Sequence, residues 1–310
     1  MNRMAKKYLF NKVLIIGIGL IGSSIALSLK KNGIAKNVIG FSKTEKTRKI
    51  AKKKCIVDET INKISNRISE MDLIIICSPL STYEKIFNLI NPHLSKKTIV
   101  TDVGSAKSHI IKNFRSSKIK EFDFIPAHPI AGTEQSGPNA GFPELFVNRW
   151  CIITPISGNK NRNINIVKKM WKSMGSNVEI MTPERHDQTM AITSHLPHLI
   201  AYNIVSTAAD IENVTKSDVI KYSASGFRDF TRIAASDPTM WRDVLLSNKD
   251  SLLEVISRFS EDLSMLQKAI RWDDGETLYK LFSKTKKIRN KIIDAGQDVS
   301  VPDFGRSKKK

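Results

Sequence analysis

Short, unbroken apolar runs alternate with stretches of helical spacing through the first half of the chain. Residues 12–16 read as a buried strand, and residues 23–32 then repeat apolar positions (Ile25, Ala26, Leu29) at helical spacing, with Gly33 as a stop. Residues 37–41, 72–77, 98–102, 122–127 and 150–154 are further strand-like runs. Pro79 forbids ladder pairing after Cys77, and Ser81 is placed to cap a helix running to Asn91. Gly104-Ser105-Ala106-Lys107 turns from the run at 98–102 into another helix. Repeated strand–helix units predict an α/β fold with a parallel, doubly wound sheet of the Rossmann type. A polar break at 157–161 precedes a helix over 163–174 and a short strand at 177–180, both assigned to the same domain.

From Pro183 the spacing is helical throughout. Thr182-Pro183-Glu184 supplies a cap, a first-turn proline and a first-turn acid in succession, and Asp237-Pro238 repeats the device before a helix at 240–247. Residues 252–270 and 276–293 form amphipathic helices, the second stopped by Gly296. With 310 residues the chain can hold two cores of ordinary size. The expected division is a dinucleotide-binding domain at 1–182, an all-helical C-terminal substrate and dimerisation domain at 183–296, and a basic tail at 297–310.

The turn after the first strand reads Gly17-Ile18-Gly19-Leu20-Ile21-Gly22. A bare GxGxxG is a weak signal, but here it lies between a strand and a helix, with a second strand following. Gly17 suits a tight turn, Gly19 lets backbone approach a pyrophosphate, and Gly22 lets helix and strand pack closely. Leu20 and Ile21 open a helix whose free N–H groups face the phosphates. The second strand ends at Ser42-Lys43-Thr44, where an NAD site usually carries an acid for the ribose hydroxyls. Hydroxyls and the nearby cations Lys43, Lys46 and Arg48 favour a 2′-phosphate, so NADP is the favoured form of an NAD(P) cofactor, with NAD also accommodated. Ser78, Ser105 and His128 also lie just past strand ends, where an open α/β sheet gathers its ligands.

Composition changes this picture little. The net charge of +20 invites a nucleic-acid or membrane reading. Yet the lysines are dispersed, and neither a basic recognition helix nor an aromatic-interleaved basic strand is present, so neither partner is expected. Cys55, Cys77 and Cys151 are scattered singly, which fits a reducing cytoplasm. Lys6 and Lys7 ahead of the apolar run at 13–29 imitate a signal peptide, but the glycine fingerprint and Ser23, Ser24 and Ser28 inside that run argue for strand–turn–helix.

Two polar clusters remain. His128-Pro129-Ile130-Ala131-Gly132-Thr133-Glu134 leaves the strand-like run at 122–127. Downstream, His186, Ser194, His195, His198, Arg228, Asp229, Arg232 and Trp241 lie in helical sequence. His195 and His198, three apart, could share a metal, but no HExxH glutamate or third ligand accompanies them, so no metal is expected. A structural role at Pro197 and a substrate-facing role both remain open for this pair.

With these residues assembled, the chain resembles the prephenate/arogenate (cyclohexadienyl) dehydrogenases from Lys12 to about Gly305. The resemblance rests on GxGLIGxS at 17–23, TDVGSxK at 101–107, HPIAGTExSG at 128–137, SHLPH at 194–198 and GFRDFTRIAxSDPxMWRD at 226–243. It implies oxidative decarboxylation of prephenate or arogenate with a nicotinamide cofactor, in a cytoplasmic homodimer of tyrosine biosynthesis. No mutase segment is expected ahead of the sheet and no regulatory domain after the helices.

By the same resemblance His128 accepts the 4-hydroxyl proton, and Ser105 binds that hydroxyl and holds His128 and the nicotinamide in register. Arg232 binds a substrate carboxylate, while His198 and Ser194 help to bind substrate and close the pocket. Thr133 and Glu134 form its polar wall, Glu134 gates it, and Trp241 supports Arg232. One alternative is another oxidoreductase acting on hydroxyacids or imines, though the hydroxyacid group generally uses a lysine base. An alternative of a different class is a non-catalytic nucleotide- or nucleic-acid-binding protein, which steeply salt-dependent DNA binding would favour.

Overall fold

The computed structural model describes residues 8–117, 122–215 and 221–294, and the chain divides into two compact units, Met1–Leu252 and Leu253–Lys310. The first unit opens with β1 (Phe10–Ile16), α1 (Leu20–Lys31), β2 (Ala35–Phe41), α2 (Glu45–Lys53) and β3 (Glu59–Ile61). It continues with β4 (Leu73–Ile76), α3 (Tyr83–Ile90), β5 (Ile99–Asp102), α4 (Lys107–Ser116) and β6 (Asp123–Ile125). These six strands form one parallel sheet in the order β3-β2-β1-β4-β5-β6, the expected Rossmann order.

The unbroken apolar runs follow from burial on both faces. Val13 and Ile15 join one apolar cluster with Ile25, Leu29 and Trp171, while Leu14 and Ile16 join a second with Ile74, Phe87 and Phe124. Register then levels the carboxyl ends of the central strands. Ile16 pairs with both Phe41 and Ile76, and Ile76 pairs with Asp102. The residues leaving β1, β2, β4 and β5 therefore emerge along one edge, at the point where strand order reverses.

The run at 122–127 is not one strand, which corrects the sequence reading. Pro126 interrupts it, and its carbonyl accepts a hydrogen bond from the Thr154 N–H at 3.0 Å. β6 stays in the large sheet, while β7 (Ala127–Pro129) turns into a second sheet, antiparallel to β8 (Trp150–Ile153). After α5 (Asn161–Ser173), β9 (Asn177–Ile180) adds to β8 in parallel. His128 is thus a strand residue opposite Ile152, not a loop residue.

Helices follow: α6 (Pro183–Met190), a single π-helical turn at Ala191–His195, α7 (Leu196–Thr215), α8 (Ser225–Thr231) and α9 (Pro238–Ser247). The two anticipated caps form. Thr182 Oγ1 accepts from the Arg185 N–H at 3.2 Å, and the Asp237 carboxylate accepts from the Met240 N–H at 2.9 Å. Ser81 is no cap: α3 starts at Tyr83, with Thr82 in the N-cap position. Trp241 and Val244 of α9 belong to the same apolar cluster as Ile16 and Ile76. The compact unit accordingly runs past the change to helical sequence at 182/183 and closes at Leu252.

The second unit contains most of α10 (Lys249–Arg271) and α11 (Gly275–Asp294), the latter capped by Asp274, whose carboxylate accepts from the Thr277 N–H at 3.0 Å. Lys6, Lys7, the predicted stop at Gly296 and the basic tail lie outside the described residues. Among the described residues no helix is long and apolar enough to cross a membrane.

Candidate active site

The glycine turn has the shape its spacing requires. Gly17 has φ +102°, and a Cβ there would sit 2.4 Å from the Cys77 carbonyl oxygen. A Cβ on Gly22 would sit 2.0 Å from the Gly17 carbonyl oxygen, so α1 could not pack against the turn. Gly19, the N-cap of α1, has nothing within 4 Å of its Cβ position. Backbone there is open to a phosphate, and the first turn through Leu20 and Ile21 carries no acid to repel one. This cradle fits a dinucleotide pyrophosphate.

At the end of β2, Arg48 Nη1 donates to the carbonyls of Ser42 (2.6 Å) and Lys43 (2.9 Å). Ser42 and Thr44 hydroxyls lie 3.3 Å apart, and the Lys43 side chain is exposed. Arg48 therefore braces the loop through its backbone carbonyls. Ser78 Oγ donates to the Ile16 carbonyl at 3.2 Å, which ties the end of β4 to that of β1.

His128 is buried, and its Nδ1 lies 2.8 Å from His186 Nε2. His186 Nδ1 lies 2.7 Å from Asp187 Oδ1. Asp187 in turn accepts from the backbone N–H groups of Lys107 and Ser108, both at 2.8 Å, which open α4. A second buried carboxylate, Asp102, fixes the other side. It accepts from the Lys107 ammonium (2.7 Å), the Gly104 N–H (2.8 Å), the Tyr83 hydroxyl (3.1 Å) and the Ala127 N–H (3.0 Å). Lys107 Nζ also donates to the Ala127 carbonyl at 2.7 Å. Asp102, at the carboxyl end of β5, thereby holds the residue before His128 on the same sheet edge as the glycine turn.

Burial, helped by repulsion from His186, Lys107 and His195, holds the His128 imidazole well below its ordinary pKa. The ring is neutral near pH 7 and able to accept a proton. Burial also lowers His186 against the opposing hydrogen bond to Asp187. For Asp187 burial pushes the carboxyl up, but hydrogen bonds from His186, Ser108 and Lys107 outweigh it and keep the group ionised.

Ser105 is half-buried at the end of β5, and its hydroxyl makes no hydrogen bond among the described residues. The orienting bond to His128 comes from His186 instead, a correction to the reading from sequence. Trp241 stacks on His198, with ring centroids 3.5 Å apart and planes 20° from parallel. The His198 Nδ1–H donates to the Ser194 carbonyl at 2.8 Å, leaving Nε2 for another partner. His195 is fully buried, its Nδ1 accepting from the Asn248 amide at 3.1 Å, and burial lowers its pKa to about 4. Arg232 Nη1 donates to Glu134 Oε2 at 2.9 Å, which joins the wall after β7 to the turn after α8. Thr133 Oγ1 accepts from the Gln135 N–H at 3.2 Å. Among the described residues no group of three or more His, Cys, Asp or Glu side chains could hold a metal ion.

His186 stands out in the sequence only as a polar residue without a role, and Asp187 and Asp102 do not stand out as site residues. His186 and Asp187 are 58 and 59 positions beyond His128, and the signal available was an adjacent His-Asp pair opening a capped helix. Asp102 and Lys107 lay inside the TDVGSxK motif, but nothing there marked them as the support under the strand that carries His128.

Two family models cover the chain. Residues 25–180 match the nucleotide-binding domain of prephenate dehydrogenase, and residues 182–284 match its dimerization domain. The cyclohexadienyl dehydrogenase of Zymomonas mobilis is 36% identical over 280 residues, 90% of this chain and 95% of the relative. The prephenate dehydrogenase of Bacillus subtilis is 32% identical over 94% of this chain and 78% of its own length. Among solved structures, the Aquifex aeolicus prephenate dehydrogenase in complex with hydroxyphenyl propionate and NAD+ superposes with a TM-score of 0.85 at 34% identity, covering 91% of this chain and 98% of that one. The Synechocystis arogenate dehydrogenase gives 0.75 at 28% identity, with 90% and 99% covered. With family models matching residues 25–180 and 182–284, and a relative 36% identical covered over 95% of its length, this chain belongs to the prephenate dehydrogenase family.

Proposed function

We propose that this chain carries out the NAD(P)-dependent oxidative decarboxylation of prephenate, arogenate or both in tyrosine biosynthesis, with His128 as the proton acceptor. The observation that carries the reading is a buried, neutral imidazole, held by Asp102 and Lys107 on the sheet edge that bears the glycine cradle. A dinucleotide held by its pyrophosphate in that cradle would supply the nicotinamide as hydride acceptor. His128 takes the 4-hydroxyl proton while C4 of the ring loses hydride and the ring carboxylate departs as CO2. A well-placed base contributes roughly 10²–10⁴-fold. The unpaired Ser105 hydroxyl binds the same 4-hydroxyl.

Arg232 binds a substrate carboxylate with its planar fork. Its present partner, Glu134, is the group such a carboxylate displaces, which supports Glu134 as the gate. His198, held edge-first by Ser194 and flat by Trp241, offers Nε2 to the substrate; Thr133 completes the polar wall. Ser42 and Lys43, braced by Arg48, support acceptance of NADP alongside NAD. The N-terminal domain extends to residue 182 in this reading, and the helical domain from 183 to 296 forms a homodimer. Leu253, Phe259, Leu263, Met265, Tyr279 and Phe282 are exposed along α10 and α11, as a helix-mediated dimer requires. A cytoplasmic location suits the three free cysteines.

A steady-state assay with prephenate or arogenate, each with NAD or NADP, tests the function. Reduced nicotinamide and CO2 in equal amounts from at least one pairing are expected, with NADP active. No turnover in any of the four would overturn the reading, and turnover with NAD alone would overturn the cofactor part.

A further inference from the structure

We propose that His186 and Asp187 are positioning residues that fix the tautomer of His128, leaving Nε2 as its one basic nitrogen. The inference deepens the reading of His128 as the base and rests on it for its catalytic consequence.

Hydrogen-bond polarity carries the argument. Both Asp187 oxygens accept: Oδ1 from the Lys107 N–H and Oδ2 from the Ser108 N–H, each at 2.8 Å. An ionised carboxylate offers no proton, so the 2.7 Å contact between Asp187 Oδ1 and His186 Nδ1 requires the hydrogen on Nδ1 of His186. A neutral His186 then has its lone pair on Nε2. That atom lies 2.8 Å from His128 Nδ1, and two lone pairs cannot face each other there, so His128 Nδ1 carries the hydrogen and donates it. His128 Nε2 is left with the lone pair.

Asp187, at the head of this series of hydrogen bonds, is well anchored. Asp187 sits on the two N–H groups that open α4, where backbone polarity favours negative charge. His186 is fully buried and Asp187 nearly so, so water does not compete for these bonds. The groups facing the pair are Lys107, Asp102 and His195, and burial together with the lysine opposes a charge on either ring. When His128 takes a proton on Nε2, its Nδ1–H bond to His186 becomes charge-assisted, with the Asp187 carboxylate one ring further on. The arrangement does for this histidine what a carboxylate does for the histidine of a serine-protease triad, with an imidazole interposed.

Two-bond ¹H–¹⁵N NMR on protein labelled at histidine reads the tautomers without substrate or cofactor, with His128→Asn and His186→Gln used for assignment. At pH 7, His128 is expected to show a protonated Nδ1 and an unprotonated Nε2. A protonated Nε2 in the wild-type protein would overturn the proposal. His186→Phe removes the acceptor, and kcat should fall on the order of 10²-fold with KM little changed. His186→Gln, whose carbonyl can still accept from Nδ1–H, should recover at least about tenfold of that loss, since glutamine retains the acceptor. Equal loss in both variants, or none in either, would contradict a positioning role. Because the tautomer is read on the unliganded protein, it stands or falls separately from the kinetics of His128→Asn, which test the base itself.

Discussion

His198 lies flat on Trp241, a half-buried imidazole on a buried indole, and its Nδ1 is fixed by the Ser194 carbonyl. Trp241 also sits in the apolar cluster of the sheet, so one side chain both fills the core and orients a substrate-binding candidate. Trp241→Ala should cost about 3–5 kcal/mol of stability and raise KM, whereas Trp241→Phe keeps a stacking face and loses less. Urea unfolding and steady-state kinetics check this; an unchanged midpoint in the alanine variant would deny the packing role.

Lys107 and Asp102 form an ion pair with neither side chain exposed. Removing one partner of such a pair strands a buried charge, which costs about 3–5 kcal/mol. Lys107→Met should therefore destabilise by that amount, and adding Asp102→Asn should recover part of it. A double variant whose loss equals the sum of the single losses would show that the two do not depend on each other.

Arg232 and Glu134 are 44% and 38% exposed, so their ion pair contributes no more than about 1 kcal/mol to the fold. Glu134→Gln should leave the unfolding midpoint nearly unchanged. Arg232→Ala should chiefly raise KM for the dicarboxylate, and Arg232→Lys should not restore it, because an ammonium lacks the planar fork. A KM unchanged in Arg232→Ala would move the carboxylate site elsewhere.

The positions legible in the sequence were those whose demands are local. Gly17 is required by its own positive φ and Gly22 by the Gly17 backbone, and the caps at Thr182 and Asp237 each bond three residues ahead. β1, β2, β4 and β5 declared themselves because both faces are buried, whereas the three-residue, half-buried β3 did not. What stayed hidden depends on distant partners. β7 is three residues long and exists because Pro126 ends one pairing and β8 offers another. The bond between His128 and His186 spans 58 positions and joins β7 to α6, which no local pattern encodes.

Acid should destabilise the protein through its buried histidines. His128, His186, His195 and His198 are all held below the ordinary imidazole value, burial being the leading cause, and His195 falls to about 4. Unfolding returns each ring to a pKa of about 6.5, so below that pH the unfolded chain binds protons that the folded chain refuses. Stability is complete above about pH 6.5 and declines as pH falls, by up to about 1.4 kcal/mol per pH unit for each ring. Urea midpoints at pH 7.5 and 5 should show the decline, and a higher midpoint at pH 5 would refute it.

The most direct test of the account is kcat for His128→Asn with the better substrate. The variant should fold and bind cofactor as the wild type does, with kcat lower by roughly 10²–10⁴-fold. A kcat within a few-fold of wild type, at unchanged cofactor affinity, would remove His128 as the base.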